Sequence, residues 1–202
     1  FELAGQELRF AHNGARKFDH KDVESITGIG ASTKKDNVNE IGKFGVGFKA
    51  VFSYCDTPEI HSGDYSFKIE HLFCPIQIDP IIRDDAETLF VFPLGSSEKT
   101  AGQCYEEIVK VFSRLDHSAV LFLNNIKSIT WDIAGRGKGR VFRENPDGVS
   151  EELSRIVVTN PLVGVKSESA WFMVYRKPRD GYGDLNCAIA FELKFRSSKK
   201  KE

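Results

Sequence analysis

The chain has 202 residues, of which 28 are basic and 29 are acidic, and 41% are hydrophobic. This size fits one large domain or one domain with a partial second, and the apolar content allows a sizeable core. The near-zero net charge gives no general argument for nucleic acid or an anionic membrane surface as a partner. Because no apolar run approaches the ~20 residues that span a bilayer, we expect no membrane partner.

The cysteines lie far apart in the sequence, without a C-x-x-C pair or a nearby histidine pairing. This spacing predicts reduced structural thiols rather than a disulfide framework or a zinc site. No signal-peptide pattern opens the sequence. These features together predict a cytoplasmic protein, or a nuclear one if its source is eukaryotic. The four residues are Cys55, Cys74, Cys104 and Cys187.

The first 28 residues predict a hairpin followed by a short helix. Two short strand candidates flank Gly5, and Asn13-Gly14 gives a turn signal after the second of them. Asp19 or Asp22 is a candidate cap for the helix, because an aspartate side chain can accept hydrogen bonds from the unpaired N–H groups of the first turn.

A glycine loop follows a polar stretch. Residues 27–39 are polar, contain glycines and lack apolar periodicity, which is typical of a mobile loop. Residues 41–54 then read IGKFGVGFKAVFSY, a G-x-x-G-x-G loop that runs into an apolar helical pattern starting at Phe48. Glycine N–H groups and a helix N-terminus can approach an anion closely, so this stretch predicts a phosphate cradle. On spacing alone, an ordinary turn before a helix is equally consistent.

The rest of the sequence is mainly strand-like. Alternating or apolar segments predict strands at 65–69, 73–78 and 88–94, and Pro75 places the second of these at an edge or a bulge. Apolar residues at helical spacing then predict one helix, and alternation predicts further strands in the C-terminal part. The helical stripe consists of Cys104, Ile108, Val111, Phe112 and Leu115.

Three more segments accompany the glycine loop in a fixed order. They are residues 10–14 (FAHNG), 26–35 (ITGIGASTKK) and 87–92 (ETLFVF). With the glycine loop, they resemble the GHKL ATPase superfamily of gyrase, heat-shock chaperones, histidine kinases and MutL proteins. The closer resemblance is to its sacsin-type, No Vein-like N-terminal ATP-binding domains, and it covers about residues 8–133.

The resemblance implies an α/β fold of the Bergerat ATP-binding type. This fold is a two-layer sandwich, in which a mixed, mostly antiparallel sheet carries helices on one face. Because the sequence becomes mainly strand-like from Ile126, we place the boundary near residue 125. Residues 1–125 are the expected GHKL-type nucleotide-binding domain, and residues 126–202 are a β-rich extension that continues the domain. The nucleotide would lie between the sheet and the helices, closed by the 27–41 loop.

The same resemblance implies ATP or ADP as the ligand. The glycine loop would hold the β- and γ-phosphates through its N–H groups, and lysines would add positive charge. Asn13-Gly14 stands where relatives carry an adenine-binding aspartate, so base selectivity is open, and Thr88 matches a threonine that touches the base. The implied nucleotide-binding residues are Asn13, Gly14, Gly30, Ser32, Lys34, Lys35, Gly42, Lys43, Phe44, Gly45, Val46, Gly47, Phe48, Lys49 and Thr88.

Several of these residues also fit a purely structural role. Three of the lysines suit an ordinary solvated surface, the threonine suits a strand by its β-propensity, and two apolar residues suit the core. The residues with this alternative are Lys34, Lys35, Lys49, Thr88, Val46 and Phe48.

The helix that supplies the catalytic glutamate and the Mg²⁺-binding asparagine in relatives would precede His12 by a few tens of residues. No E-x-x-x-N helix fits between the start of this sequence and His12. We therefore expect a fragment that lacks this helix, with Mg²⁺ binding and weak ATP hydrolysis dependent on it. No residue of the present sequence is predicted to be catalytic or to bind a metal.

The expected function is that of a nucleotide-gated conformational switch in a chaperone-like or bacterial nucleic-acid-defence protein. The expected partners are ATP, other domains of a larger protein and a second copy of the chain, with nucleic acid reached only through partner domains. Two alternatives remain open. One is a nucleotide-responsive module without turnover, and the other is a protein-interaction scaffold that binds no nucleotide.

Overall fold

The structure is a computed structural model of the chain, and it describes residues 1–28, 47–81, 84, 87–123, 125–144, 152–178 and 186–194. These residues form an α/β fold with a large mixed sheet and few helices, as predicted. The α-helices are α1 (His20–Thr27) and α2 (Ala101–Ser113), and 3₁₀ helices span Phe48–Ser53, His117–Val120 and Pro161–Val163. The strands are β1 (Glu2–Ala4), β2 (Glu7–His12), β3 (Glu59–Ser62), β4 (Tyr65–Glu70), β5 (Cys74–Gln77), β6 (Thr88–Pro93), β7 (Ser128–Ile133), β8 (Gly137–Glu144), β9 (Leu153–Asn160), β10 (Val165–Pro178) and β11 (Asn186–Leu193).

Internal contacts divide the chain into two compact units. The first unit consists of Phe1–Phe112 and Trp131–Arg136, and the second consists of Ser113–Thr130 and Gly137–Glu202. The functional division expected at residue 125 stays a prediction.

The sheet of the first unit has the strand order β7-β1-β2-β6-β3-β4-β5. The end of β7 pairs with β1 in parallel, and the remaining pairs are antiparallel. Strand β5 lies at one edge, where the missing N–H of Pro75 costs no ladder hydrogen bond. The predicted edge position of this strand is therefore confirmed.

The start of the chain folds as its sequence predicts. Gly5 has φ +58° in the turn between β1 and β2, a conformation that glycine adopts without a steric cost. Asp19 caps α1 and forms a capping box, because its side chain accepts from the backbone N–H of Asp22, whose own side chain accepts from the N–H of Asp19.

Aromatic side chains dominate the core of the first unit. Phe90 lies at its centre, with ring centroids 5.5 Å from Phe10, 6.2 Å from Phe18 and 6.1 Å from Phe48. Residues of α1 and of the 3₁₀ helix Phe48–Ser53 pack against this cluster, so both helices cover the sheet face that carries Phe90. The buried cluster consists of Cys55, Ile60, Phe67, Ile69, Phe90 and Phe92.

The predicted apolar stripe of α2 is wrong in part. Val111 is exposed, whereas Val109, which lies outside the stripe, is buried together with Cys104 and Phe112. Helix positions rotate by about 100° per residue, and the buried face is centred near Phe112, which packs on the rings of Phe1 and Trp131. Cys104 lies at the border of this face, so Val111, seven residues later, points to solvent. Leu115 lies beyond the end of the helix.

The second unit contains an antiparallel sheet in the order β8-β9-β10-β11. One of its faces carries the buried side chains of Val141, Ile156 and Val174. The 3₁₀ helix His117–Val120 contacts β8 and β9. Arg143 holds the end of this helix, since its guanidinium donates to the carbonyl oxygens of Val120, Leu121 and Leu123.

Candidate functional site

The structure describes six of the fifteen predicted nucleotide-binding residues, and all six belong to the first unit. They are Asn13, Gly14, Gly47, Phe48, Lys49 and Thr88. The other nine lie outside the described residues, and their predicted roles stay predictions. They are Gly30, Ser32, Lys34, Lys35, Gly42, Lys43, Phe44, Gly45 and Val46.

The two segments predicted to contact the base end side by side. Strand β2 ends at His12, which is directly opposite Thr88, the first residue of β6. Asn13 and Gly14 continue the chain from His12. The strand pairing therefore brings Asn13-Gly14 next to Thr88, although these residues are about 75 positions apart in the sequence.

A buried hydroxyl pair fixes the side chain of Thr88. Its Oγ1 lies 2.7 Å from Oγ of Ser62, the residue opposite it on β3, and both residues are buried. Ser62 Oγ also accepts from the N–H of Phe18 at 3.0 Å. When Ser62 donates its proton to Thr88, the Thr88 hydroxyl keeps its own proton for a further acceptor. Sequence reasoning missed Ser62, because no local signal links it to Thr88.

Gly14 is required by a close approach rather than by its φ angle. The N–H of Gly14 donates to Nδ1 of His12 at 3.1 Å. Because Nδ1 accepts this hydrogen bond, the neutral imidazole of His12 carries its proton on Nε2. A Cβ at Gly14 would lie 3.1 Å from Nδ1 of His12 and 3.2 Å from Cε1. Any larger residue at this position would therefore push the imidazole ring away.

The helix that follows the glycine loop begins at Phe48, as predicted, but it is a six-residue 3₁₀ helix. Such a short element contributes little dipole, so a phosphate would depend on the glycine N–H groups rather than on a long helix. The Phe48 ring packs on Phe90, two residues after Thr88 on the same face of β6. Gly47 has open space within 4 Å of the place where a Cβ would lie.

The side chain of Lys49 is half-buried. Its ammonium donates to the carbonyl oxygens of Thr27, at 3.4 Å, and Leu72, at 2.5 Å. Burial lowers the pKa of Lys49, since the charged form loses hydration and gains no carboxylate hydrogen-bond partner in the described part of the chain. The alternative that Lys49 is an ordinary solvated lysine stays open.

The described residues were also compared with the requirements of a thiol nucleophile, a metal site and a membrane-crossing helix. Burial raises the pKa of the Cys55 thiol to about 12, so this residue is not a nucleophile near neutral pH. Cys74 and Cys104 are also free thiols. Among the described residues, no group of three or more histidine, cysteine, aspartate or glutamate side chains is arranged to hold a metal ion. Neither described α-helix has the length and apolar character of a membrane-crossing helix.

Comparison with known proteins gives two matches. Residues 5–73 match the sacsin domain family. The chain is also 43% identical to the protein NO VEIN of Arabidopsis thaliana over 208 aligned positions, which cover 87% of this chain. The same alignment covers 7% of NO VEIN, so the chain spans a small part of that relative. Residues 5–73 are thus similar to the sacsin domain family, and most of the chain is similar to a small part of NO VEIN.

Proposed function

We propose that the first unit is a GHKL-type ATP-binding module that works as a nucleotide-gated switch. The observation that carries this proposal is the convergence of its predicted elements on one sheet face. Thr88 is opposite His12 and beside Asn13-Gly14, and Phe48 packs two residues further along β6. The predicted base-binding end and the start of the helix that follows the glycine loop are thus close together on a face that helices cover.

The residues at the base end fit an adenine ring. The amide of Asn13 offers both a donor and an acceptor, which is what the amino group and ring nitrogens of adenine require. Thr88 is held by Ser62 and can offer one further proton. Gly14 keeps the His12 ring in place, because a Cβ at this position would displace it. These roles are the proposed ones for Asn13, Gly14 and Thr88.

Lys49 is the described residue that best fits the phosphate end. Its ammonium is partly desolvated and hydrogen-bonds only to neutral carbonyl oxygens in the described chain, so an anion would stabilise its charged form. ATP supplies the negative charge of its phosphates, with Mg²⁺ expected to be held by residues outside this chain. We propose that Lys49 moves from the two carbonyl oxygens to a phosphate when ATP binds.

The proposed output is a population shift. ATP would bind more tightly to a closed conformation that encloses the γ-phosphate, and would therefore increase the population of that conformation. Loss of the γ-phosphate would return the population to the open conformation. In a larger chaperone-like protein, this shift would control neighbouring domains. In a longer protein that supplies the helix with the catalytic glutamate and the Mg²⁺-binding asparagine, weak ATP hydrolysis would return the module to the open conformation.

Thermal unfolding with and without ATP, ADP and GTP, each with Mg²⁺, tests this proposal. A ligand at ten times its Kd stabilises the folded state by about 1.4 kcal/mol, which gives a visible shift of Tm. We expect a shift with ATP and ADP that exceeds the shift with GTP. No shift with any of them would contradict nucleotide binding and favour the scaffold alternative.

Gly47→Val provides the matched variant. The site of its new side chain is open in the folded chain, so the ligand-free Tm should stay near that of the wild type, while the bulky group blocks the phosphate loop and removes the ATP shift. Gly102→Val in α2 is the control, because this glycine also has open space around the place of a Cβ. Equal ATP shifts in both variants would contradict the assignment of the glycine loop.

A further inference from the structure

The second unit has an open apolar sheet face. Tyr175 on β10 is opposite Ile189 on β11, and Met173 is opposite Phe191. Tyr175, Ile189 and Phe191 are 47%, 59% and 56% exposed, and the rings of Tyr175 and Phe191 lie 6.3 Å apart. Their exposed area is on the order of 300 Å², about the size at which a patch on a protein surface is often functional.

Among the described residues, this open face ends at the edge strand β11. Strand β11 is the outermost strand of the described sheet, and it pairs with β10 over eight consecutive residues without a bulge. Its sequence, Asn186–Leu193, contains no proline and no lysine, the residues that commonly prevent edge-to-edge pairing. A long regular edge beside exposed apolar side chains is a template for another strand.

We propose that β11 pairs with β11 of a second copy of this chain, antiparallel and around a two-fold axis at Ala190. In this register, Ile189 of each copy is opposite Phe191 of the other copy. The dimer therefore contains two symmetry-related contacts between an exposed aliphatic side chain and an exposed aromatic ring. Ala190 is opposite itself, where its small side chain permits close approach. The sheet then continues from one copy into the other.

The charges of β11 fit this register. Glu192 is the only charged residue of the strand. Around Ala190 it is opposite Ala188 of the second copy, so the two glutamates do not face each other, and like charges directly opposite would be destabilising. A two-fold axis at Glu192 itself would place them together. The charge pattern of β11 is therefore compatible with a two-fold axis at Ala190 and not with one at Glu192.

The expected dimer is concentration-dependent. The strand pairing supplies backbone hydrogen bonds, and the flanks of Ile189 and Phe191 of each copy contact each other across the new strand pair. Tyr175 on β10 and the rest of the face stay exposed, so the interface is small and reversible. This inference rests on the second unit alone and does not depend on nucleotide binding by the first.

Sedimentation of the chain over a wide concentration range tests the proposal. We expect a monomer–dimer equilibrium in the wild type. Ile189→Lys and Phe191→Glu should each weaken dimerisation at least ~10-fold, because each places an unpaired charge against an apolar partner. Val111→Lys is the matched control, since Val111 on α2 is 58% exposed and lies outside the interface; it should leave the equilibrium unchanged.

The double variant tests the register. With both substitutions in one chain, each new ammonium group is opposite a new carboxylate of the second copy, so dimerisation should recover toward the wild-type level. The melting temperature of each single variant, measured alongside, shows that it is folded. A wild type that stays monomeric at every concentration would overturn the proposal and assign the face to a different partner. A double variant as weak as either single one would overturn the two-fold axis at Ala190.

Discussion

The outward faces of the two sheets differ in composition. In the first unit, the face opposite the aromatic core carries ion pairs such as Arg9 with Glu7, at 2.6 Å, and Lys68 with Glu70, at 2.7 Å. In the second unit, the open face carries Tyr175, Ile189 and Phe191. The solvated face of an antiparallel sheet is commonly polar. The first sheet follows this pattern on β2 and β4, whereas the second exposes an apolar surface.

The edges of the two sheets show the same contrast. Strand β5 of the first unit is four residues long and contains Pro75, which cannot donate to an added strand. Strand β11 of the second unit is twice as long and has no such residue. The β5 edge is thus protected from pairing with a further strand, whereas the β11 edge is suited to such pairing.

The largest expected effect distinguishes the core of the first unit from the open face of the second. Phe90→Ala should lower the free energy of unfolding by about 3–5 kcal/mol, because it leaves a cavity among the rings of Phe10, Phe18 and Phe48. Tyr175→Ala should cost less than about 1 kcal/mol, since half of this side chain is already in water. Urea denaturation measures both values.

Equal losses in these two variants would contradict the comparison, since they would mean that the open face is packed as tightly as the core. Phe90→Leu provides a control for cavity size. It keeps an apolar group at the same place and should lose clearly less stability than Phe90→Ala.

The next effect concerns the covered face of the second unit. Arg143→Met should lower the stability by about 2 kcal/mol, because three carbonyl oxygens at the end of the 3₁₀ helix His117–Val120 lose a charged donor. Amide hydrogen exchange should become faster at residues 117–123 before it changes in the first unit. Arg143→Lys is the control, and its single ammonium should restore part of the protection.

Local patterns in the sequence predicted much of this fold. Residues within a few positions of each other predict the Asp19 cap of α1, the turn at Gly5, the edge position of Pro75 and the start of a helix at Phe48. Each depends on a local backbone requirement, which a short sequence segment is able to specify. The α/β class with a mixed sheet was predicted from the resemblance instead.

Long-range packing was less predictable. The buried face of α2 is set by Phe1 and Trp131, which lie more than 15 residues away from it in the sequence, so spacing within the helix could not exclude Val111. Ser62 became part of the candidate site only through its register with Thr88. A cross-strand pairing of this kind depends on how strands associate, and the sequence of either strand alone does not specify it.

A smaller effect tests whether ligand binding belongs to the first unit alone. Lys49→Met should weaken ATP binding about 10-fold, the value of one charged hydrogen bond, and leave adenosine binding unchanged because adenosine has no phosphate. Arg140→Met in the second unit is the control, since its guanidinium lies on the Phe142 ring at 4.1 Å. Calorimetric titration measures these affinities. An equal loss for adenosine would show that Lys49 acts only on the fold.

The smallest effect compares two helix caps, one in each unit. Asp19 accepts from the backbone N–H of Asp22, which lowers the pKa of Asp19 below its usual 3.8. Asp116 accepts from the hydroxyl and the N–H of Ser118, which lowers the pKa of Asp116 in the same direction. Because the folded state prefers both ionised forms, their contribution to stability is complete above about pH 4 and is lost as the pH falls through the lowered values.

Replacing each cap by asparagine separates the two units. Asparagine still caps a helix but does not titrate, so Asp19→Asn should flatten the acid dependence of amide exchange in α1 and leave that of residues 117–120 unchanged. Asp116→Asn should do the reverse. Exchange measured by NMR between pH 6 and pH 2.5 resolves the two segments. If either variant altered both segments equally, the two units would share one acid transition, and their separate treatment in this comparison would fail.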